Sequence, residues 1–184
     1  AVRIAAARGI ALKSIVLPRN QYNPAYEQIL LDAGITAYRG NQPGWIYRPV
    51  AQRENNRFVR AARLLDNYGD LVRNSGSSWD GLLNPNGMCN IPASFFLRPF
   101  SPSLARLEKL RYARITRTIG LAAERGRLVH IWWHPHNFGV NQENNLSFLR
   151  NILEYFSLMR EQHGMRSLTM SEAGALARKH VSHN

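Results

Sequence analysis

An α/β fold with parallel strands is predicted for this chain, on three observations. Short apolar runs alternate with segments of helical spacing, Pro or Gly punctuates most junctions, and the chain is of single-domain size. At 184 residues, 45% hydrophobic and 20% charged, it suits one domain with a buried core, since domains hold roughly 100–200 residues. That composition excludes a disordered, collagen-like or disulfide-stapled chain. No apolar run approaches the roughly 18–20 residues that span a bilayer, so no membrane partner is expected.

The elements follow in order. Ala1-Val2-Arg3-Ile4-Ala5-Ala6-Ala7-Arg8 is a strong helix former that Gly9 closes. It lacks an initiator Met and a capping residue, so it reads as a helix already under way, with upstream sequence expected. Leu12 to Leu17 is a short strand that Pro18 stops. Asn23 caps the next helix, with Pro24 in its first turn and Gly34 at its end. Ile35 to Arg39 is a second strand, and Gly40-Asn41-Gln42-Pro43-Gly44 a loop. Phe58, Ala61, Leu65 and Tyr68 share one helical face, while Arg57, Arg60 and Arg63 form a solvated basic stripe on another. Residues 74–90, rich in Ser, Gly, Asn and Pro, read as a long surface loop suited to a lid or substrate wall.

The second half repeats the alternation. Ile91 to Leu97 is one strand ending at Arg98-Pro99, and Ser101-Pro102 starts a long helix that Gly126 stops. Leu128 to Trp133 is the most apolar strand. Asn145 starts a helix closed by Gly164, Arg166 to Thr169 is a last short strand, and Ser171 caps a last helix. No repeat and no domain boundary is visible, so residues 1–184 read as one segment of a single domain. Alternation of this kind means right-handed βαβ units and a parallel sheet, whose ligands gather at the carboxyl ends of the strands. That rim holds Arg19 to Asn23, Arg39 to Asn41, Arg98, His134 to Asn137, and Thr169 to Glu172.

Charge and chemistry narrow the function. Lys and Arg total 24 against 12 Asp and Glu, and only Lys13, Lys109 and Lys179 are lysines. A net +12 of this kind favours polyanions through a sequence-blind term, although most such charges lie solvated on helix faces. Nucleic-acid motifs of fixed spacing are missing, which makes nucleic acid an unfavoured partner. Cys89 is the sole cysteine, so no internal disulfide forms and no oxidising compartment is implied; with no basic neighbour in sequence it reads as inert. His134 and His136 at i, i+2 point the same way in extended backbone, as two metal ligands or with one as general acid; alternatively Pro135 breaks the strand and the rings part. No carboxylate sits convincingly at the rim, Glu172 being better placed in the first turn of a helix. Gly-x-Ser-x-Gly, phosphate-loop and dinucleotide motifs are absent.

Ser14-Ile15-Val16-Leu17-Pro18-Arg19-Asn20-Gln21-Tyr22-Asn23, then Tyr38-Arg39-Gly40-Asn41, then Trp132-Trp133-His134-Pro135-His136-Asn137-Phe138-Gly139 and Ser167 to Glu172 resemble, in combination and order, the C-terminal part of polysaccharide deacetylases of the NodB-homology type. The resemblance implies part of a distorted (β/α) barrel whose N-terminal strands lie outside this chain. It implies metal-dependent hydrolysis of an acetyl group on an acetylated polysaccharide or amino sugar. A divalent metal, zinc or similar, is the implied cofactor, and no counterpart of the family's aspartate base or metal-ligand motifs occurs in this chain. Arg19 resembles the arginine that orients the base, and the Tyr22 amide the oxyanion donor, with Gln21 and Asn23 departing from the family's Pro and Gly. His134 resembles the general acid, and Trp132, replacing the usual Leu, walls the acetyl methyl. Arg98, Asn41 and His136 complete the expected substrate contacts. The alternative from composition is a non-catalytic basic module that binds anionic glycan or nucleic acid.

Overall fold

The computed structural model describes residues 2–18, 22–42, 57–69 and 74–182. Two small parallel sheets are packed with helices, an α/β architecture without a closed barrel among the described residues. The chain divides into two compact units that interleave in sequence. One comprises Ala1–Asn41, Ser78–Pro92 and Ser167–Asn184, the other Gln42–Ser77 and Ala93–Arg166.

In the first unit, β1 (Ser14–Ile15), β2 (Ala37–Gly40) and β3 (Cys89–Pro92) form a parallel sheet in that order. Ser14 pairs with Ala37, Ala37 with Cys89 and Tyr38 with Asn90. The helix-forming opening gives α1 (Val2–Ala6), followed by Gly9 at φ +72°. Asn23 caps a 3-10 turn at Pro24–Tyr26 by accepting from the Ala25 N–H at 3.0 Å. The turn runs into α2 (Glu27–Asp32), and Gly34 at φ +80° releases the chain into β2, a left-handed position that glycine fills at no steric cost. The last helix, α7 (Met170–Val181), covers the Ala37–Cys89 face: a Cβ on Gly174 would meet Cys89 Cβ at 3.3 Å and Ala37 Cβ at 3.4 Å. The bare glycine is what admits the helix so close to the sheet. Its start is a capping box between Thr169 and Glu172.

In the second unit, β4 (Phe95–Phe96) and β5 (Ile131–Trp132) run parallel. Helices α3 (Arg57–Gly69), α4 (Glu108–Glu124), α5 (Pro135–Phe138) and α6 (Gln142–His163) complete it. Phe95, Leu97, Ile115, Ile119, Phe138, Ile152 and Met159 form the core. A buried ion pair joins α3 to α4, Arg114 Nη2 donating to Asp66 Oδ2 at 2.8 Å.

Several expectations are corrected. The run Ile91–Leu97 is two strands in different sheets. The Ser94 carbonyl, which a continuous strand would use in its ladder, accepts from the Gln42 and Asn74 side-chain amides at 2.8 and 3.1 Å. The strands expected at 12–17 and 128–133 pair only at Ser14–Ile15 and Ile131–Trp132, with Leu128 bridging antiparallel to Ser77 instead. Residues 166–169 find no strand partner among the described residues, and Thr169 rather than Ser171 caps α7. Helix α6 begins at Gln142, three residues before Asn145. On α3 the expected face is covered only in part: Phe58 is 83% and Leu65 62% exposed, Tyr68 is half-buried, and Asp66, outside the stripe, is 0% exposed and paired with Arg114. The side chains of Arg57 and Arg60 lie outside the described residues.

The stretch 74–90 is not a free lid either. Thr118 Oγ1 donates to the Asn74 carbonyl at 3.0 Å, Leu83 bridges back to Cys89, and Leu82 and Met88 are buried. Among the described residues no helix is long and apolar enough to cross a membrane.

Candidate functional site

His134 leaves the carboxyl end of β5 in extended conformation, at φ −98° and ψ 120°, as the residue before α5. Pro135 stops the strand there, since it has no N–H for the ladder and biases its predecessor to extended backbone. The imidazole is exposed, yet its position is defined by aromatic walls. Trp132 meets it edge-on at 5.2 Å between centroids and 88°, and Phe96 of β4 at 5.9 Å and 64°. Phe96 and Trp132 are cross-strand partners, so sheet register itself builds the wall. The His136 ring stacks on His134 at 5.2 Å and 25°; the rings do not part as the intervening proline had suggested. Trp133 faces elsewhere and stacks on Phe138 at 5.7 Å.

Arg98 leaves the neighbouring strand end. The Leu97 N–H donates to the Trp132 carbonyl at 2.8 Å, which brings the two outgoing segments side by side. The Arg98 carbonyl accepts from Arg111 Nη1 at 2.6 Å. Arg111 in turn pairs with Glu108 and lies over the Phe148 ring at 3.9 Å. Burial pushes the Glu108 carboxyl up, with Arg111 opposing, and pushes the Arg111 guanidinium down, with Glu108 opposing; desolvation penalises both charges. Burial also raises the Tyr68 phenol, which the charges of Arg111 and Arg98 draw down and that of Glu108 raises.

One residue ties both segments together. Asn145, 2% exposed, accepts from the Phe100 N–H at 2.6 Å and donates through Nδ2 to the Val140 carbonyl at 2.7 Å. Its amide thus holds the turn after β4 and the segment after α5.

The remaining candidates belong to the other unit. Arg19 lies outside the described residues. Tyr22 stacks on Tyr38 at 4.3 Å with an interplanar angle of 2°. Asn84 Nδ2 donates to Tyr22 Oη at 3.3 Å and to Glu27 Oε1 at 2.6 Å. Burial raises the Tyr38 phenol, a hydrogen bond with Asn84 lowers it, and the Glu27 charge raises it. Glu27, 6% exposed, is a carboxylate that sequence reasoning passed over because its helical position gave no hint of burial. A cavity of about 230 Å³ lies alongside, lined by Leu17, Tyr22, Asn23, Tyr26 and Leu30. Asn41 is half-buried just beyond β2.

The arrangement can position an exposed imidazole against aromatic walls, with Arg98 leaving the adjacent strand. Among the described residues no three His, Cys, Asp or Glu side chains converge to hold a metal ion. His134 and His136 supply two imidazoles, short of the three protein ligands a catalytic zinc uses, so these residues do not by themselves fit the implied metal. Compared with known proteins, the chain matches no family model, no curated protein and no solved structure.

Proposed function

We propose that this chain is the C-terminal part of a metal-dependent polysaccharide deacetylase that hydrolyses an acetyl group on an acetylated amino sugar. The observation that carries the reading is His134, exposed at the carboxyl end of a parallel strand and flanked by Trp132 and Phe96. In this reading the two small sheets are part of a distorted (β/α) barrel, and the divalent metal is held by residues outside this chain. A water gives one proton, in this reading, to the family's catalytic aspartate, outside this chain, as its oxygen adds to the acetyl carbonyl, and the Tyr22 N–H donates to the tetrahedral oxyanion that results. The His134 imidazolium then protonates the departing nitrogen as the C–N bond breaks. Trp132 walls the acetyl methyl, and Arg19 orients the catalytic aspartate through a charge-assisted hydrogen bond.

The test is acetate release from acetylated glucosamine oligosaccharides by the full-length protein loaded with zinc or cobalt, with and without His134→Ala. General acid catalysis contributes about 10²–10⁴ in rate, so a loss below about 100-fold removes His134 from that role. The net charge of +12 favours a second reading, a basic module that holds an anionic glycan or nucleic acid. It predicts tight polyanion binding that weakens steeply with salt, together with no acetate release.

A further inference from the structure

Strand alternation gives the β4–β5 sheet two unlike faces. Phe95 pairs with Ile131 and Phe96 with Trp132, and consecutive residues of a strand point to opposite sides. Phe95 is buried in the core of this unit, and Ile131 packs against that core. Phe96 and Trp132, both half-buried, lie on the other face. The core therefore accounts for Phe95 and leaves the second phenylalanine to be explained. On its own face the Phe96 ring packs on Trp132 at 4.6 Å between centroids, tilted by 42°. Both rings then meet the imidazole of His134, at 5.9 Å from Phe96 and 5.2 Å from Trp132. The three centroids close a triangle, so His134 cannot swing away without giving up two ring contacts. Just beyond, the Leu97 N–H donates to the Trp132 carbonyl at 2.8 Å, which fixes the register that brings the rings together.

We propose that Phe96 is a positioning residue that holds the imidazole of His134 in one rotamer. This deepens the deacetylase reading and rests on it for what the imidazole then does, which is to protonate the departing nitrogen. An exposed side chain otherwise exchanges among staggered rotamers. Aromatic rings that meet tilted or edge-on at these separations attract, and one such pair shifts a rotamer equilibrium by about two- to tenfold. Only an imidazole within hydrogen-bond reach of the leaving atom acts as its acid, so loss of the Phe96 ring lowers the fraction of His134 that is ready. Trp132 walls the acetyl methyl in the same reading, and its replacement would mix binding with orientation. Phe96, on the neighbouring strand, separates the two.

The experiment uses the full-length protein and reads orientation first, by nuclear magnetic resonance without metal or substrate. The chain has six histidines, and the ring signals of His134 are assigned by their loss in His134→Ala. In the wild type these signals are expected to be displaced by the ring currents of Phe96 and Trp132 and to show cross-relaxation with the Phe96 ring protons. At the same pH, Phe96→Leu, apolar but without a ring, moves them toward the position of a free histidine. Phe96→Tyr, which keeps the ring, leaves them in place. Acetate release from the zinc-loaded protein then reads the consequence: in Phe96→Leu kcat falls about two- to tenfold with KM within about twofold of wild type, and Phe96→Tyr recovers it. A merely structural role would reduce the folded fraction and leave its His134 signals where they were. Unmoved His134 signals in Phe96→Leu, or a raised KM at constant kcat, overturns the proposal. Should Phe96→Leu fail to fold, the wild-type spectrum decides, and absence of cross-relaxation between the two rings overturns it. No acetate from any variant, with the His134 signals moved in Phe96→Leu, sinks the deacetylase and leaves the positioning standing.

Discussion

Replacing Asn145 by Ala removes the only side chain that bonds both outgoing segments of the β4–β5 sheet among the described residues. In the folded protein the Phe100 N–H then has no acceptor and the Val140 carbonyl loses its 2.7 Å donor. Val140 is 70% exposed, so water replaces the lost donor there, and the cost rests on the Phe100 N–H left without a partner, about 1–3 kcal/mol. With a urea slope of about 2 kcal/mol per molar, the unfolding midpoint falls by roughly 0.5–1.5 M. Circular dichroism through a urea titration reads the midpoint, and amide exchange at Phe100 reads the local opening. Asn145→Asp sharpens the test. It keeps an acceptor for the Phe100 N–H but sets an oxygen against the Val140 carbonyl, in a site that disfavours a charged carboxylate. Such a carboxyl has a folded pKa above its unfolded value of about 3.9. The folded state then binds the proton more tightly, so stability is greatest in acid and is lost as pH rises through the folded pKa. The deficit relative to wild type should widen from pH 4 to pH 8. A loss under about 1 kcal/mol in Asn145→Ala, with Phe100 exchange unchanged, would show that the clamp reading is mistaken.

The Asp66–Arg114 pair makes a second prediction: Asp66→Asn removes the negative charge beside a buried guanidinium and should cost about 3–5 kcal/mol, read as a drop in urea midpoint. A cost near that of an exposed pair, below about 1 kcal/mol, would mean water reaches the site. The third concerns alkali. Burial raises the Cys89 thiol above its ordinary 9.0 against the pull of Arg178, and raises the Tyr38 phenol above its ordinary 10.0. Both groups hold their protons more tightly folded than unfolded, so the stability they contribute is complete below those values and declines as pH rises past them. The midpoint should fall above pH 9, and iodoacetamide at pH 8 should label Cys89 far more slowly in native protein than in urea. Native labelling within tenfold of the unfolded rate would contradict the buried placement.

Local chemistry made much of the fold legible. Asn23-Pro24, Gly34, Gly126 and Gly164 each act within a few residues, and each sits at a helix end in the structure. Parallel pairing followed from alternation, because a helix between two strands gives the crossover that carries the chain back to start the next strand at the same end. What failed depended on a partner outside the window. An apolar run cannot reveal that Ser94 will accept from Gln42 and Asn74, so Ile91–Leu97 looked continuous. The stripe on α3 marked an apolar side without showing that Asp66, outside it, would be the buried position, paired with Arg114 48 positions away.

The candidate site divides along the same line. His134, Trp132 and Arg98 could be named because a strand end is visible in sequence, and the strand end alone places them. Asn145, Asn84 and Glu27 could not, since their meaning lies in hydrogen bonds to residues 45, 62 and 57 positions away. Residues that present chemistry were therefore easier to find than those that hold it in place. The second group decides how firmly the first is set: Arg111 holds the Arg98 carbonyl and Asn145 the Phe100 N–H, so the backbone on either side of Pro99 is fixed where it leaves the strand end. If Asn145→Ala loosened the Phe100 amide in hydrogen exchange while the segment around Arg98 stayed as protected as in wild type, Arg111 alone would suffice to hold that strand end, and the amide of Asn145 would be incidental to it.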